Sequence, residues 1–529
     1  MAIGILLVSC VILMCVLAEK FSDKFGMPAL ILFMFVGMLF GSDGVMKIPF
    51  DNFGLAESVC SVALIFIMFY GGFNTKWVAA KEVAAQSIAL STLGVVGTAG
   101  ITTALCYVFL GFDLAESFLV GAVLSSTDAA SVFAILRKYK LNLKNGTASI
   151  LEVESGSNDP IAYMLTIIAM GMVLAGRAEK IALTIFLQIA VGIIVGVLLS
   201  RLSVMVMTKT RLISEGLETI FVIAMVLVCY GTASFLGGNA YLAVYLFGII
   251  AGNSRIKNKQ TLIPFFDGVT SLAQILIFFL IGLLTFPHQM PEIIPIALAI
   301  VVFLTLIARP IVVFLLMIPF KCSANQKLLV SWTGLRGASS SVFAIMAVAG
   351  GISMKQDLFH IVFMVSLFSV AIQGTLLPMV ARKLDMIDDN VDVCKTFNDY
   401  QEETSLHLME MYIPKGHPWI NQTIKEVSMP TGSLALMIKR GNESVVTKGD
   451  TLILEDDTVI LSVPPYTPSD MDILQEKLIG PKDPWCNKSI SELKLAENEL
   501  IVMIIRGGET IIPNGTTVMK ANDLVVTYK

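Results

Sequence analysis

Acidic side chains lie where this chain is otherwise apolar. Glu154 and Asp159 fall in a hydrophobic stretch, and Asp128 follows residues 125–127, Ser-Ser-Thr, in the hydrophobic segment before it. A charged side chain at the centre of a membrane helix costs roughly 2.5–3.5 kcal/mol, so such groups persist mainly as parts of ion or proton pathways. The sequence therefore predicts a protein that moves ions across a membrane.

The spacing of the polar residues places them on two faces of one helix. Ser155 and Asp159 are four residues apart and share a face. Glu154 and Asn158 share the neighbouring face for the same reason. A hydroxyl beside a carboxylate is a hard oxygen environment, which suits Na⁺ or K⁺. Glu154 faces elsewhere and is expected to pair with a buried guanidinium such as Arg336, which leaves Asp159 as the acid that titrates.

Two segments are predicted to interrupt their helices. Residues 125–128 and 333–341 concentrate Ser, Thr and Gly, and Ser and Thr side chains compete for backbone hydrogen bonds. Paired interruptions in corresponding halves of a membrane chain predict a midplane site built from unwound backbone, with the halves in inverted topology. Ser126 and Ser339 are expected to pack or bond between helices, as membrane hydroxyls usually do. Arg309 is left open between a structural partner and a support of the site.

The elements that must position these residues are membrane helices. The 529 residues are 55% hydrophobic, with a mean hydropathy of +0.79, which is too apolar for a soluble globular protein. A helix needs about 20 residues to cross the hydrocarbon core. On that criterion we predict an all-α polytopic domain whose thirteen spans lie near residues 2–18, 28–41, 57–73, 84–110, 115–137, 148–174, 180–207, 216–236, 238–253, 264–285, 292–319, 327–349 and 358–381.

Charge divides the chain and orients it. Residues 1–383 carry 24 Lys+Arg and 18 Asp+Glu, whereas residues 384–529 carry 13 and 23. We therefore predict a membrane domain (1–383), a linker (384–402) and an acidic tail, which argues against nucleic acid as a partner. The loops on one side of the membrane hold 18 basic residues and those on the other side hold 4, which places the N-terminus outside and the tail in the cytoplasm.

The eight cysteines have no paired spacing, so no disulfide framework or metal cofactor is expected.

The tail contains a tandem repeat. Residues 417–424 match 483–490, and residues 437–441 match 503–507, at a constant offset of 66 positions. Each unit reads as a strand, a short helix and further strands, so the tail is predicted to be α+β with modules at 403–466 and 467–529. Arg440 and Arg506 recur at equivalent positions and could contact an anion or simply pack in a turn.

The motifs of the membrane domain resemble those of the monovalent cation/proton antiporter-1 family, and within it the bacterial potassium/proton or sodium/proton exchangers. They are Thr127-Asp128, Glu154-Ser155-x-x-Asn158-Asp159 and Gly334-Leu335-Arg336-Gly337. The resemblance implies thirteen spans, a homodimer in the bacterial cell membrane, and no catalytic chemistry.

The resemblance also implies roles for single residues. Asp159 would bind a cation or a proton in turn, assisted by Asp128 and by oxygens of Thr127 and Ser155. Glu154 and Arg336 would form a buried ion pair. Members with Asn before this Asp are similar in exchanging one cation for one proton, because Asn158 cannot titrate.

Each tail module resembles the TrkA-C domain, the C-terminal module of potassium-conductance regulators. The resemblance implies pairing about a two-fold axis and a small regulatory ligand, in some cases of nucleotide type, for which Arg440 and Arg506 are candidate contacts. A structural dimerisation cap is the alternative. No glycine-rich nucleotide fingerprint follows a strand.

The alternatives to a K⁺/H⁺ antiporter are the closely related Na⁺/H⁺ antiporter and two other function classes, a potassium channel and an intramembrane protease. A regulated potassium channel would need a Thr-Val-Gly-Tyr-Gly filter, which the sequence lacks. An intramembrane aspartyl protease would need a Gly-x-Gly-Asp pattern, which is also missing. K⁺ is favoured over Na⁺ from the tail and the motifs.

Overall fold

The computed structural model divides the chain into two compact units, Met1–Tyr400 and Gln401–Lys529. It describes residues 2–25, 28–139, 141–175, 181–209, 216–254, 256, 259–388, 407–427, 429, 433–441, 443–463, 474–481, 483–493, 495, 500–506, 509–511 and 513–528. The predicted linker from position 389 onward and the predicted module boundary at 466 and 467 lie outside these residues.

The first unit is built from helices. In chain order they are α1 (Ala2–Phe25), α2 (Ala29–Phe40), α3 (Phe53–Asn74), α4 (Trp77–Ala89), α5 (Val95–Val108), α6 (Leu114–Val123), α7 (Ala129–Lys138), α8 (Thr147–Ala175), α9 (Ile181–Lys209), α10 (Glu218–Phe235), α11 (Ala240–Gly252), α12 (Lys259–Leu283), α13 (Met290–Phe303), α14 (Arg309–Leu316), α15 (Ala324–Trp332), α16 (Ala338–Ala349), α17 (Leu358–Phe368) and α18 (Thr375–Lys383).

Three pairs of these helices are joined end to end by π-helical turns. The turns are Leu90–Gly94, Leu304–Ala308 and Ser369–Gly374. The second ends just before Pro310, whose ring nitrogen cannot donate the usual helical hydrogen bond. Within the described ranges, eight helices are long and apolar enough to cross a membrane. The prediction of a mostly helical membrane domain is confirmed.

Glycines let helix backbones approach closely. A Cβ on Gly282 of α12 would lie 2.1 Å from the carbonyl oxygen of Met34 in α2. A Cβ on Gly248 of α11 would lie 2.3 Å from the carbonyl oxygen of Phe69 in α3. Small residues are favoured between membrane helices because backbones must pack without a hydrophobic driving force. These contacts pack α12 against α2 and α11 against α3.

Two helices are interrupted at the predicted places. The chain leaves α6 after Val123 and re-enters a helix at Ala129, so residues 125–128 lie in the gap. The second gap is shorter than predicted, because α15 ends at Trp332 and α16 begins at Ala338. Residues 338–341 are helical, since Ser is well tolerated in the first turn of a helix.

The second unit consists of two antiparallel sheets of four strands each. The first contains β1 (His407–Tyr412), β2 (Leu434–Arg440), β3 (Glu443–Val446) and β4 (Thr458–Val463) in the order β1-β4-β2-β3. The second contains β5 (Leu474–Leu478), β6 (Leu500–Arg506), β7 (Glu509–Ile511) and β8 (Leu524–Tyr528) in the order β5-β8-β6-β7. Both sheets have a register shift at the same place, Ala435/Met437 and Ile501/Met503.

The two sheets also share their buried side chains. Ile413, Ile438, Ile453 and Val459 form the first core; Ile479, Ile504, Met519 and Val525, each 66 positions later, form the second. The predicted short helix is a single 3₁₀ turn in the second module, Ile490–Glu492. The described residues of the tail include no α-helix, so of the α+β prediction the β structure is confirmed.

Candidate functional site

Asp159 lies where α8 meets both interrupted helices. Its side chain is buried, with 3% of the residue exposed. The Ser126 hydroxyl, in the gap between α6 and α7, donates a hydrogen bond to Oδ1. The Ser339 hydroxyl, in the first turn of α16, donates to Oδ2 at 2.7 Å. One carboxylate therefore connects three helical elements, and the two hydroxyls bond between helices as expected.

The other polar residues of α8 bind the first gap. Ser155 donates from Oγ to the carbonyl oxygen of Thr127 at 2.9 Å, and Asn158 donates from Nδ2 to the Thr127 hydroxyl. Asn158 Oδ1 is buried and accepts no hydrogen bond from the described residues. The structure thus brings Thr127, Ser155, Asn158 and Asp159 together, and their oxygens are of the kind that alkali cations bind.

Asp128 holds the beginning of α7. Its carboxylate accepts a hydrogen bond from the Ser131 backbone N–H at 3.2 Å and from the Ser131 hydroxyl at 2.6 Å, which is the geometry of an N-cap. Its own N–H donates to the carbonyl oxygen of Leu335, in the second gap, at 2.8 Å. A Cβ on Gly337 would lie 1.9 Å from Asp128 Oδ2, so the two gaps cross at a position where only glycine fits.

The ion pair of Glu154 differs from the predicted one. Glu154 Oε1 lies 2.5 Å from Nη2 of Arg309, and the two side chains are 1% and 4% exposed. Arg336 instead donates from Nη1 to the carbonyl oxygen of Ser126 at 2.6 Å. The predicted pairing of Glu154 with Arg336 is therefore corrected to Arg309. A buried acid is expected to have a guanidinium partner. The positions of the residues in the sequence do not show which of two buried arginines that partner is.

The charges at the gaps complement the helix ends. Helix N-termini carry a partial positive charge and C-termini a partial negative charge. Asp128 lies at the N-terminus of α7, and the Arg336 guanidinium contacts the Ser126 carbonyl just past the C-terminus of α6. Glu154 is neutralised by Arg309. Within the described residues, the hydrogen bonds to the Asp159 carboxylate come from two neutral hydroxyls.

Arg440 and Arg506 of the tail are held inside their own modules. Arg440 donates from Nε and Nη2 to the two oxygens of Asp457, each at 2.8 Å, and Arg506 does the same to Asp523 at 2.7 Å. Both aspartate side chains are 0% exposed. Burial alone would raise the pKa of Asp457, but the hydrogen bonds from Arg440 bring it below its usual value. Each arginine is therefore held by a buried aspartate of its own module, and its role as a ligand contact stays a prediction.

Comparison with known protein families shows to which class of protein the chain belongs. Residues 7–383 match the family described as sodium/hydrogen exchanger, transmembrane. Residues 408–466 and 474–526 match the TrkA-C domain. The chain is a membrane exchanger by fold and site. It belongs to the sodium/hydrogen exchanger family and carries two TrkA-C domains, as the motifs predicted.

Similar proteins include antiporters of both cations. The K⁺/H⁺ antiporter NhaP of Alkalimonas amylolytica is 32% identical over 462 residues, 86% of this chain and 80% of that protein. The low-affinity Na⁺/H⁺ antiporter NhaS1 of Synechocystis sp. is 28% identical over 390 residues, 68% of this chain and 70% of that one. The structure of the sodium proton antiporter MjNhaP1 from Methanocaldococcus jannaschii at pH 8 has a TM-score of 0.62 at 22% identity, over 72% of this chain and 99% of that one.

Proposed function

We propose that this chain exchanges a monovalent cation, with K⁺ favoured, for H⁺ across the membrane. The cation and the proton compete for Asp159, and the site reaches the two sides of the membrane alternately. The observation that carries the proposal is the environment of Asp159, a buried carboxylate bound by one hydroxyl from each interrupted helix. Similarity to the K⁺/H⁺ antiporter NhaP favours K⁺; similarity to NhaS1 keeps Na⁺ as the alternative.

The ligands of the cation follow from the same geometry. Asp159 supplies the negative charge. The oxygens of Thr127 and Ser155, now hydrogen-bonded within the site, become the other ligands of the cation when those hydrogen bonds break. Asp128 lies next to Thr127 and supports this shell. Asn158 offers Oδ1, which has no hydrogen-bond donor within the described residues. Because Asn158 does not titrate, one cation exchanges for one proton without net charge.

The architecture proposed for this exchanger has thirteen spans in two inverted repeats. Joining the three π-linked pairs and the two interrupted pairs reduces the eighteen helices to thirteen segments. The basic loops support an outer N-terminus and a cytoplasmic tail in the bacterial cell membrane. The proposed domains are 1–383, a linker at 384–402, and TrkA-C modules at 403–466 and 467–529, supported by matches to residues 408–466 and 474–526.

The assembly and regulation of the exchanger are proposed from the same resemblance. The membrane domains form a homodimer surrounded by lipid. The TrkA-C modules regulate exchange, either by binding a small nucleotide-type ligand or as a dimerisation cap.

Exchange can be tested in vesicles that contain the purified chain and a pH-sensitive dye. Adding K⁺ or Na⁺ outside should move protons with the wild-type chain, most strongly with K⁺. Asp159→Asn should abolish this response, because the amide neither binds a proton nor supplies a charge for the cation. Asp385→Asn is the matched control, since the Asp385 side chain is 87% exposed. Exchange that persists in Asp159→Asn would refute the proposed site.

A further inference from the structure

One turn of the last helical segment binds the second gap. The π-helical turn Ser369–Gly374 joins α17 to α18, and its residues Ser369 and Gln373 are only 1% and 4% exposed. The Arg336 backbone N–H, in the gap, donates to Oγ of Ser369 at 3.0 Å. The Ser369 hydroxyl donates in turn to Oε1 of Gln373. The two side chains therefore form one hydrogen-bonded unit, which we call the Ser369–Gln373 pair.

Gln373 also binds the other end of the gap, at Trp332. Its Nε2 donates to the carbonyl oxygen of Trp332 at 3.4 Å, and its own carbonyl oxygen accepts a hydrogen bond from the indole Nε1 of Trp332 at 3.1 Å. Trp332 is the last residue of α15. A helix leaves its last carbonyl groups without partners, and a buried backbone group without a partner is costly. The Ser369–Gln373 pair thus holds the gap at both ends.

This π-helical turn differs from the first one in what its side chains bind. The hydroxyls of Ser91 and Thr92, in the turn Leu90–Gly94, donate to the carbonyl oxygen of Ile88 in their own helix. The Ser369–Gln373 pair instead binds the backbone of a different segment. π-helical turns are rare and recur at functional sites. The turn in the last segment therefore has a contact through which it can act on the site.

Arg336 connects the Ser369–Gln373 pair to the titrating carboxylate. Its backbone is bound by Ser369, and its guanidinium donates from Nη1 to the carbonyl oxygen of Ser126 at 2.6 Å. The hydroxyl of the same Ser126 donates to Oδ1 of Asp159. A shift of the Arg336 backbone moves the guanidinium and with it the Ser126 backbone. The hydrogen bonds of the pair therefore reach Asp159 through Arg336 and Ser126.

We propose that Ser369 and Gln373 are positioning residues for the cation site. They keep the second gap in one conformation, which keeps Arg336 on Ser126 and the oxygens of the first gap at a fixed distance from Asp159. Breaking the pair loosens the gap, so the site loses affinity for the cation, while the acid that carries the exchange is retained. This inference rests on the proposed exchange function, because it takes Asp159 to be the cation site.

The apparent KM for K⁺ in the vesicle assay distinguishes positioning from a loss of folded protein. Ser369→Ala removes the acceptor of the Arg336 N–H and should raise the KM about tenfold, the equivalent of one buried hydrogen bond, with the maximal rate per folded chain retained. Gln373→Leu should also raise the KM. Ser369→Thr keeps the hydroxyl and should restore the wild-type KM. Ser200→Ala is the matched control, because this buried serine of α9 donates to Val197 in its own helix and should leave the KM unchanged.

Thermal unfolding of the purified full-length chain in detergent measures binding without transport. The K⁺ concentration that gives half of the maximal stabilisation, with choline at equal ionic strength as the reference, should change as the KM does. Cooperative unfolding without K⁺ shows that a variant folds; if Ser369→Ala does not, Gln373→Leu, which keeps the Ser369 hydroxyl, replaces it.

Three results would overturn the positioning role. They are an unchanged KM in a folded Ser369→Ala or Gln373→Leu variant, a Ser369→Thr variant as impaired as Ser369→Ala, and loss of folding in both Ser369→Ala and Gln373→Leu. A wild-type chain that K⁺ stabilises, but that does not exchange it for protons, would refute only the proposed function.

Discussion

Replacing Glu154 with Gln should destabilise the membrane domain strongly. The substitution leaves the Arg309 guanidinium charged, 4% exposed and without the carboxylate that lies 2.5 Å away. Removing one member of a buried pair costs about 3–5 kcal/mol, because the remaining charge is buried alone. The exposed pair Lys355–Asp113, at 3.3 Å with side chains 77% and 65% exposed, is worth under about 1 kcal/mol. Asp113→Asn therefore serves as the matched control.

A double-mutant cycle identifies the partner of Glu154. Thermal unfolding of the purified chain in detergent gives the stability of Glu154→Gln, Arg309→Gln and the double variant, and the same set with Arg336→Gln. The coupling energy with Arg309 should exceed about 1 kcal/mol, as expected for groups in contact, and should be clearly larger than that with Arg336. A larger coupling with Arg336, or a loss of stability in Glu154→Gln no greater than that in Asp113→Asn, would contradict the Glu154–Arg309 pair.

Three other outcomes follow from the structure. Gly282→Ala should lower the thermal stability by about 1 kcal/mol or more, because its methyl group would meet the Met34 carbonyl; Gly268→Ala in the same helix, with open space around it in the described structure, should be tolerated. The hydrogen bonds from Arg506 lower the pKa of Asp523, so its contribution to stability is complete above the unfolded-state pKa of about 3.9 and is lost as the pH falls through the folded-state pKa. The protection of the β8 backbone amides against hydrogen exchange should therefore fall below about pH 4. Asp523→Asn should weaken this pH dependence. Asn158→Asp adds a second titrating group, so proton flux should begin to respond to an imposed membrane potential; unchanged flux would contradict the one-acid stoichiometry.

Features encoded by composition and local spacing could be predicted from the sequence. The gap at 125–128 was identifiable because its Ser and Thr side chains compete with helical hydrogen bonds. The tail repeat was identifiable because an offset of 66 positions relates both sheets, down to the buried residues Ile438 and Ile504. The cap formed by Asp128 could also have been found, since Asp is a preferred residue at the N-cap of a helix.

Features that depend on the packing of distant helices could not be predicted. The sequence favoured Arg336 as the partner of Glu154 and left the role of Arg309 open, and only the approach of α14 to α8 selects Arg309. Ser126 and Ser339 were expected only to pack or bond between helices, and the sequence could not show that both hydroxyls donate to Asp159. The sequence also did not show that each tail arginine binds a buried aspartate of its own module.

The charge arrangement explains why exchange is coupled. Glu154 is neutralised by Arg309, Asp128 complements the start of α7, and Arg336 contacts the carbonyl past the end of α6. In the proposed exchanger, the charge of the site would therefore change with the occupancy of Asp159. An empty Asp159 carboxylate at the proposed midplane would carry the cost of roughly 3 kcal/mol for a buried charge, which would reduce the population of the moving empty form about a hundredfold. Binding either a proton or a cation would remove that cost, so each would return only in exchange for the other.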